Sequence, residues 1–546
     1  MRRSRRASLT LVATATAVLI LSACASSTTT DGQTDEPGAT EQPTASSEPT
    51  ASSEPTEETP SETLTIALTA LGNQTFDPLL SDVGNKVFLT LMYDYLIDIN
   101  GDSELDPERS VAESWEVSEG NTVHTFHIRE GITFHNGDDL TAEDVKFSLE
   151  RIMREDSQSA YAGNLREQIA SVEVPDPYTV VITTNSSSIF LEYDLSQLIG
   201  NEGVIVPKGY IEANGEEAFQ QNPVGSGPYK FADFRADDHL ALVVNPDYWK
   251  FTPAYESVVF RIVPEEQTRS ALLQRGEVDI ISASPRKARE LEAEGFTRHV
   301  KEGAYAVTVL LDQQWEPPLD DARVREALNI AIDRDGLNQS LFEGLATVTG
   351  NYSINSLDLG YKEQPLYEFD PERARQLLEE AGNPNPTIVA WSYERAGLPE
   401  AQRMMEAIAS MWQDVGAEVE IRSSDYNTVR GLQQDDALPD GSVHPINAGG
   451  QTVGIGRLSS IFGSNALLSV THDPRMDELI AEVAASEDVA TYKRLMGEIA
   501  DYIRENHISL PLYELGNVFM AQEHVGSWNF TTAAFSWDLL NLVERN

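Results

Sequence analysis

Three histidines, His124, His127 and His135, lie close enough along the chain to be read as metal ligands. His124 and His127 are three apart in a strand-like run, so they face opposite sides of it and do not converge on one ion. His444 and His472 form a second pair, but with no cysteine or clear carboxylate partner they make a poor transition-metal set. No metal is expected. Gly454-Ile455-Gly456 lacks the preceding strand and the downstream acid of a dinucleotide loop, and no cofactor is expected. The GxSxG elbow, the HExxH helix and a Ser-x-x-Lys set with its partners are all missing. Asp138-Asp139 could serve as a carboxylate pair for glycoside hydrolysis. They stand just before a helix cap, where a structural role suffices, so a secreted hydrolase is the remote reading and the chain is read as no enzyme. The rings of Trp391 and Trp537 could stack on sugar or peptide groups, or simply pack in a core. Gln74 follows the first strand, and Ser282 and Ser284 follow Val278–Ile281, as hydrogen-bond donors or turn caps.

These residues must be positioned by a mixture of strands and helices. β-branched or alternating runs bounded by turn residues predict strands at Thr63–Leu68, Thr122–Arg129, Thr179–Thr183, Leu240–Asn245, Ser257–Val263, Tyr305–Leu311, Thr387–Trp391 and Glu418–Ile421. Thr141-Ala142-Glu143-Asp144 has the form of a capping box ahead of Val145, Leu149 and Ile152. Asp370-Pro371 opens a helix that Gly382 closes, with Ala374, Leu377, Leu378 and Ala381 on one face. Asp321–Leu337, Pro399–Gly416 and Asp473–Glu505 are also helical in pattern. Nothing repeats at a solenoid period.

The chain of 546 residues carries 39 Lys+Arg against 88 Asp+Glu, a formal charge of −49. Phosphate binding needs a basic stripe, so nucleic acid is excluded as a partner. A single cysteine rules out a disulfide framework and multi-cysteine metal sites. That cysteine, Cys24, ends a segment with Arg2, Arg3, Arg5 and Arg6, an apolar run Leu9–Leu21 and small residues, the layout of an export signal. Leu21-Ser22-Ala23-Cys24 resembles the lipobox of bacterial lipoproteins, which implies a diacylglycerol on Cys24 and a membrane contact made by lipid. Residues 25–63 are small, polar, proline or acidic, with TASSEP twice in succession, and read as a disordered tether spanning roughly 35 Å. Residues 64–546 keep a charge of −44, with only nine lysines in the whole chain, a composition that suits a saline habitat.

Several stretches resemble one family in their expected order: VAESWEVSEGNTVHTFHIREGITFHNGDDLTAEDVKFSLER within Leu105–Arg151, NPVGSGPYKF and NPDYW within Asn222–Trp249, ALLQRGEVDI, VREALNIAIDRDGL, DPERARQLLEEAG and SLPLYEL. They are similar to the extracellular solute-binding proteins of peptide- and nickel-type ABC importers. The resemblance implies an α/β, two-lobed periplasmic-binding-protein-like fold of the large class II type with an extra inserted subdomain, and ligand in the inter-lobe cleft. It implies a signal peptide at 1–24, a tether at 25–63, a first lobe at 64–303 with the insertion at about 75–205, a second lobe at 304–510 and a return to the first at 511–546. Crossings are expected near Val300–Tyr305 and Leu510–Glu514. Asn222 and Gly225–Tyr229 are read as a tight structural turn.

The implied function is a lipid-anchored extracytoplasmic receptor that captures a solute, an oligopeptide first of all, and passes it to permease subunits. Gln74, Ser282, Asp312, Trp391, Gln451 and Trp537 are the candidate ligand contacts, and Asp312 stands where peptide-binding relatives often carry asparagine. The family's peptide binders often have Gly-Trp and Asp-Pro in the second lobe, the aspartate pairing with the peptide amine. Residues 448–456 here contain no acid and no tryptophan. An amine buried there without a carboxylate would be costly, so Asp312 could substitute, or the solute is a neutral oligosaccharide.

Overall fold

The computed structural model describes residues 63–526 except 101–103, 160, 353–355, 357, 396–397 and 450–452. The proposed signal and tether, Cys24, Gln451 and Trp537 lie outside the described residues.

Two long strands organise the body. Thr297–Leu311 and Ser509–Ala521 run antiparallel beside each other and form the centre of an eleven-stranded sheet. Beyond Ser509–Ala521 come Ile280–Ala283, Thr63–Leu68, Ser257–Ile262, His239–Val244 and Tyr229–Arg235. Beyond Thr297–Leu311 come Ser442–Gly449, Thr387–Ser392 and Glu418–Ser423. Each flank contains parallel pairs: Thr63–Leu68 with Ser257–Ile262, and Thr387–Ser392 with Glu418–Ser423. Thr387–Ser392 reads as a near-continuous apolar run and is buried from Ile388 onward, whereas the edge strand Glu418–Ser423 alternates and is largely exposed.

The two flanks carry separate cores. Leu64, Ile66, Leu240, Val258 and Phe260 pack with Phe88, Leu91 and Tyr93 in the first lobe. Val307, Val309, Leu328, Leu377, Ile388, Met404, Trp412 and Leu512 pack together in the second, with a further cluster of Tyr352, Leu458, Phe462, Tyr492 and Met496. The long pair changes partners midway. Pairing is interrupted between Lys301 and Tyr305, and resumes opposite Leu515. The corresponding bend in the second long strand falls at Gly516, after Leu510–Glu514. A β-carbon there would come within 2.6 Å of a Val300 methyl and 2.7 Å of the Lys301 carbonyl.

A second, four-stranded antiparallel sheet has the order Ala112–Val117, Val123–Ile128, Thr179–Thr184, Ile169–Asp176. The helix Ala142–Ile152 covers it, and Phe126, Ile128, Val145, Leu149, Val180 and Ile182 form its core. The capping box is realised with Asp144, whose carboxylate accepts the Thr141 N–H at 2.9 Å. Asp370 accepts the Arg373 N–H at 2.8 Å to start Pro371–Glu380, and Gly382 ends it at φ 74°. His124 is fully buried within this subdomain against Glu192 at 2.6 Å, and His127 points the other way.

Candidate solute-binding site

In sheets with parallel strands, solutes collect beyond the carboxyl ends of the strands. Arg395 lies just past the end of Thr387–Ser392, and the helix Tyr426–Gln434 begins just past Glu418–Ser423. Together with Ser442–Gly449 and the helix Ile455–Phe462 they enclose a cavity of about 250 Å³. Its wall includes Tyr393, Arg395, Tyr426, Arg430, His444 and Arg457.

The register of the strands brings Asp312 and His444 together. Leu310 lies opposite His444, and the chain continues with the Asp312 N–H donating to the Ser442 carbonyl at 2.9 Å. His444 Nδ1 then meets Asp312 Oδ2 at 2.6 Å, both groups buried. Gln433 donates to Asp312 Oδ1 at 3.2 Å and to the Leu468 carbonyl at 3.1 Å, which fixes the amide on the cavity wall. Tyr393 is fully buried and donates its hydroxyl to the Pro445 carbonyl, and burial pushes its phenol well up.

The arginines differ in their partners. Arg457 pairs with buried Asp358 at 3.7 Å and donates to the Gly449 carbonyl. Arg395 lies over the Tyr426 ring at 4.3 Å, and Arg430 donates to the Tyr426 hydroxyl at 2.8 Å. Among the described residues, no carboxylate lies within 4.0 Å of the Arg395 or Arg430 guanidinium. Arg403 pairs with Glu400 at 2.8 Å and Arg422 with Glu420 at 2.8 Å, while exposed Arg166 and Arg286, like Arg430, have no carboxylate within 4.0 Å among the described residues. Tyr426 holds one guanidinium by its ring and another by its hydroxyl. Arg395 also faces a more open depression of about 550 Å³ beside Glu394, Glu400 and Arg403, so one side chain serves two adjoining spaces.

The candidates read from the sequence fall in different places. Asp312 lies beneath this cavity, committed to His444 and Gln433. Trp391 is 6 % exposed and packs with Tyr393, Val429 and Leu438, donating its indole N–H to Ser442 Oγ at 3.2 Å. Gln74 sits in an exposed turn at φ 59°. It donates to the Asp237 carboxylate and accepts the Asp237 N–H, both at 2.9 Å. Ser282 lies on Ile280–Ala283 in the first lobe, with its hydroxyl buried and unpaired among the described residues. Ser284 caps the helix Pro285–Ala293 by accepting the Lys287 N–H at 3.3 Å. The structure does not bring Gln74, Ser282 and Trp391 together. Arg395, Tyr426 and Arg430 were missed. Their available signal was position: an arginine after one parallel strand, and a Tyr–Arg pair at helical spacing after the next. Among the described residues no group of three or more His, Cys, Asp or Glu side chains is placed to hold a metal ion.

A two-lobed α/β body with a walled cavity beyond its strand ends is the architecture of a solute receptor. The chain belongs to the bacterial extracellular solute-binding proteins, family 5, whose model matches residues 106–452. Proteins of this family serve ABC importers. The chain is similar to heme-binding protein A of Haemophilus influenzae, 27 % identical over 527 residues, covering 90 % of this chain and 91 % of that one. It is similar to the dipeptide-binding protein of Escherichia coli, 28 % identical over 358 residues, covering 60 % of this chain and 65 % of the relative. Its fold matches the structure of HbpA2 from Haemophilus parasuis with a TM-score of 0.76 at 23 % identity, covering 87 % of this chain and 98 % of that one. These relatives are binding proteins rather than enzymes. Among the described residues no helix is long and apolar enough to cross a membrane.

Proposed function

We propose that the protein is a lipid-anchored extracytoplasmic receptor that captures a solute bearing a free carboxylate, foremost an oligopeptide, and delivers it to the permease subunits of an ABC importer. One observation carries the choice of solute: Arg395 and Arg430 line a walled cavity with no carboxylate of the described chain beside them. Arg395 is half-buried and Arg430 exposed, and a planar anion such as a peptide C-terminus can accept two hydrogen bonds from a guanidinium fork. The volume of about 250 Å³ suits one end of a solute, since whole small-molecule sites run to roughly 300–1,000 Å³. The similarity to a dipeptide-binding protein supports the same reading. Asp312 is engaged by His444, so it is a poor partner for a ligand amine.

The lobes divide as 64–303, with the insertion at about 75–205, then 304–510 and 511–546. This division is supported by the separate cores and by the shared long strands. The anchor is Cys24, supported by its lipobox and by the tether that follows. The test is mass spectrometry of whatever is released when the purified protein is denatured. Peptides or other carboxylates are expected. Recovery of a neutral oligosaccharide refutes the choice of solute and leaves the receptor role intact.

A further inference from the structure

The four-stranded subdomain reaches the second lobe at several points besides the central sheet. Asn121, at φ 51° in the hairpin turn, donates its amide to the Glu487 carbonyl at 2.8 Å. Phe190 meets Tyr492 edge-on with ring centroids 4.7 Å apart, and Ile189 and Phe190 pack onto the second-lobe cluster of Tyr352, Leu458, Phe462 and Met496. Beside this contact lies a cavity of about 260 Å³. Tyr161, Gln168, Phe190 and Asp194 wall it from the subdomain, and Val453, Ile455 and Gly456 from the second lobe. This cavity lies on the other side of the helix Ile455–Phe462 from Arg395 and Arg430 in sequence terms: Ile455 and Gly456 line one space, Arg457, Ser460 and Ile461 the other. Separation of the lobes would return Phe190 and this cavity to water.

We propose that the seam is a proton-linked latch: lobe closure docks Phe190 onto Tyr492 and carries the Asp194 carboxyl into the same seam, so that acidification favours the closed form. The inference rests on the two-lobed fold and not on which solute is bound. Asp194 is half-buried and faces the enclosed space, and among the described residues no cation lies within 4.0 Å of it. Burial pushes its carboxyl up to about 7, with Glu202 and Glu192 adding to the rise and a Gln168 hydrogen bond opposing it. Glu192 shares its helix, Leu191–Asp194, and is tied to His124. Glu202 accepts the Tyr161 N–H at 3.0 Å. From the second lobe, Arg457 and Asp358 act on the Tyr161 phenol with opposite signs.

The sign follows from the two states. With the lobes apart, Asp194 keeps Glu192, Glu202 and Gln168 of its own subdomain but loses the cover of Val453, Ile455 and Gly456, so its pKa falls from the closed value toward the ordinary carboxylate value of about 4. In the closed seam it holds its proton to about 7. Closure therefore takes up a fraction of a proton at pH values just below 7, the fraction set by how much of the burial the second lobe supplies. The closed form gains as pH falls through 7, by at most about tenfold in the closed-to-open ratio per pH unit for one proton. Binding energy shifts such an equilibrium only through what differs between its states, and this term differs.

Small-angle scattering on the mature protein, stripped of solute, tests the latch at pH 8 and pH 5.5. The radius of gyration is expected to fall on acidification in the parent. Asp194→Asn, which keeps the side-chain shape, is expected to lose that shift and to be compact at both pH values. Phe190→Ala is expected to be more expanded than the parent at pH 5.5. A parent radius that does not change overturns the proposal, as does an equal change in Asp194→Asn or a Phe190→Ala protein as compact as the parent. No solute enters the experiment, so its failure would leave the carboxylate-binding reading standing.

Discussion

Tyr426 organises the candidate site at the scale of single residues, because it holds one guanidinium by its ring and another by its hydroxyl. Pre-positioned cations lose little freedom when an anion arrives. Arg395→Ala or Arg430→Ala is therefore expected to weaken binding of the released native solute about 10- to 100-fold, from charge-assisted hydrogen bonds worth roughly 1.5–3 kcal/mol. Arg395→Lys should recover only part of this, since an ammonium lacks the planar fork. Titration calorimetry reads the effect, and unchanged affinity in both alanine variants would remove the arginines from the site. The sequence made Asp312 and the histidines visible as residue types, but their meaning came from a register it does not display. Asp312 is spoken for by His444, from a segment far along the chain. Gln74 was singled out for standing after the first strand, yet a turn at positive φ directs it to Asp237.

Among the elements, the regular ones were the most legible. The strands Thr63–Leu68 and Thr387–Ser392, the capped helix Ala142–Ile152 and the proline-started helix Pro371–Glu380 follow from period, caps and turn residues that act locally. Ala112–Val117, Ile169–Asp176, Tyr229–Arg235 and Ser442–Gly449 were not foreseen as strands, and of the long strand Thr297–Leu311 only Tyr305–Leu311 was. Its first half, with Arg298, His299 and Lys301, has little β character of its own and is held in place by Ser509–Ala521. The bend of that partner strand depends on close backbone approach at Gly516. Gly516→Val is expected to destabilise the body by about 1–3 kcal/mol through overpacking against Val300 and the Lys301 carbonyl. Differential scanning calorimetry checks this, and a melting temperature equal to the parent's would show that the bend has room to spare.

The whole molecule was legible as a family before any contact was known, because its ordered motifs lie in turns, caps and strand ends that recur with the fold. The seam at Phe190 was not legible, since nothing in a Ser-Ser-Ile-Phe stretch announces a tyrosine some three hundred positions on. The charge acts at this scale as well. With −44 on the body, an anionic membrane surface repels it, so the proposed retention at the membrane would rest on the lipid on Cys24. Cys24→Ala is accordingly expected to release the protein into the medium or leave its signal uncleaved. Fractionation of cells expressing the variant reads this, and normal membrane retention after processing would disprove the anchor.

The placement of Ser509–Ala521 has a consequence for synthesis. This strand lies between Ile280–Ala283 and Thr297–Leu311, so both flanks of the sheet wait for one of the final segments to leave the ribosome. A nascent chain lacking it has an open edge in each half of the sheet, and within the sheet only the first long strand joins them. Domains completed early collapse while translation continues. Here the four-stranded subdomain can close on its own core early, while the eleven-stranded sheet cannot be completed until Ser509–Ala521 has been made.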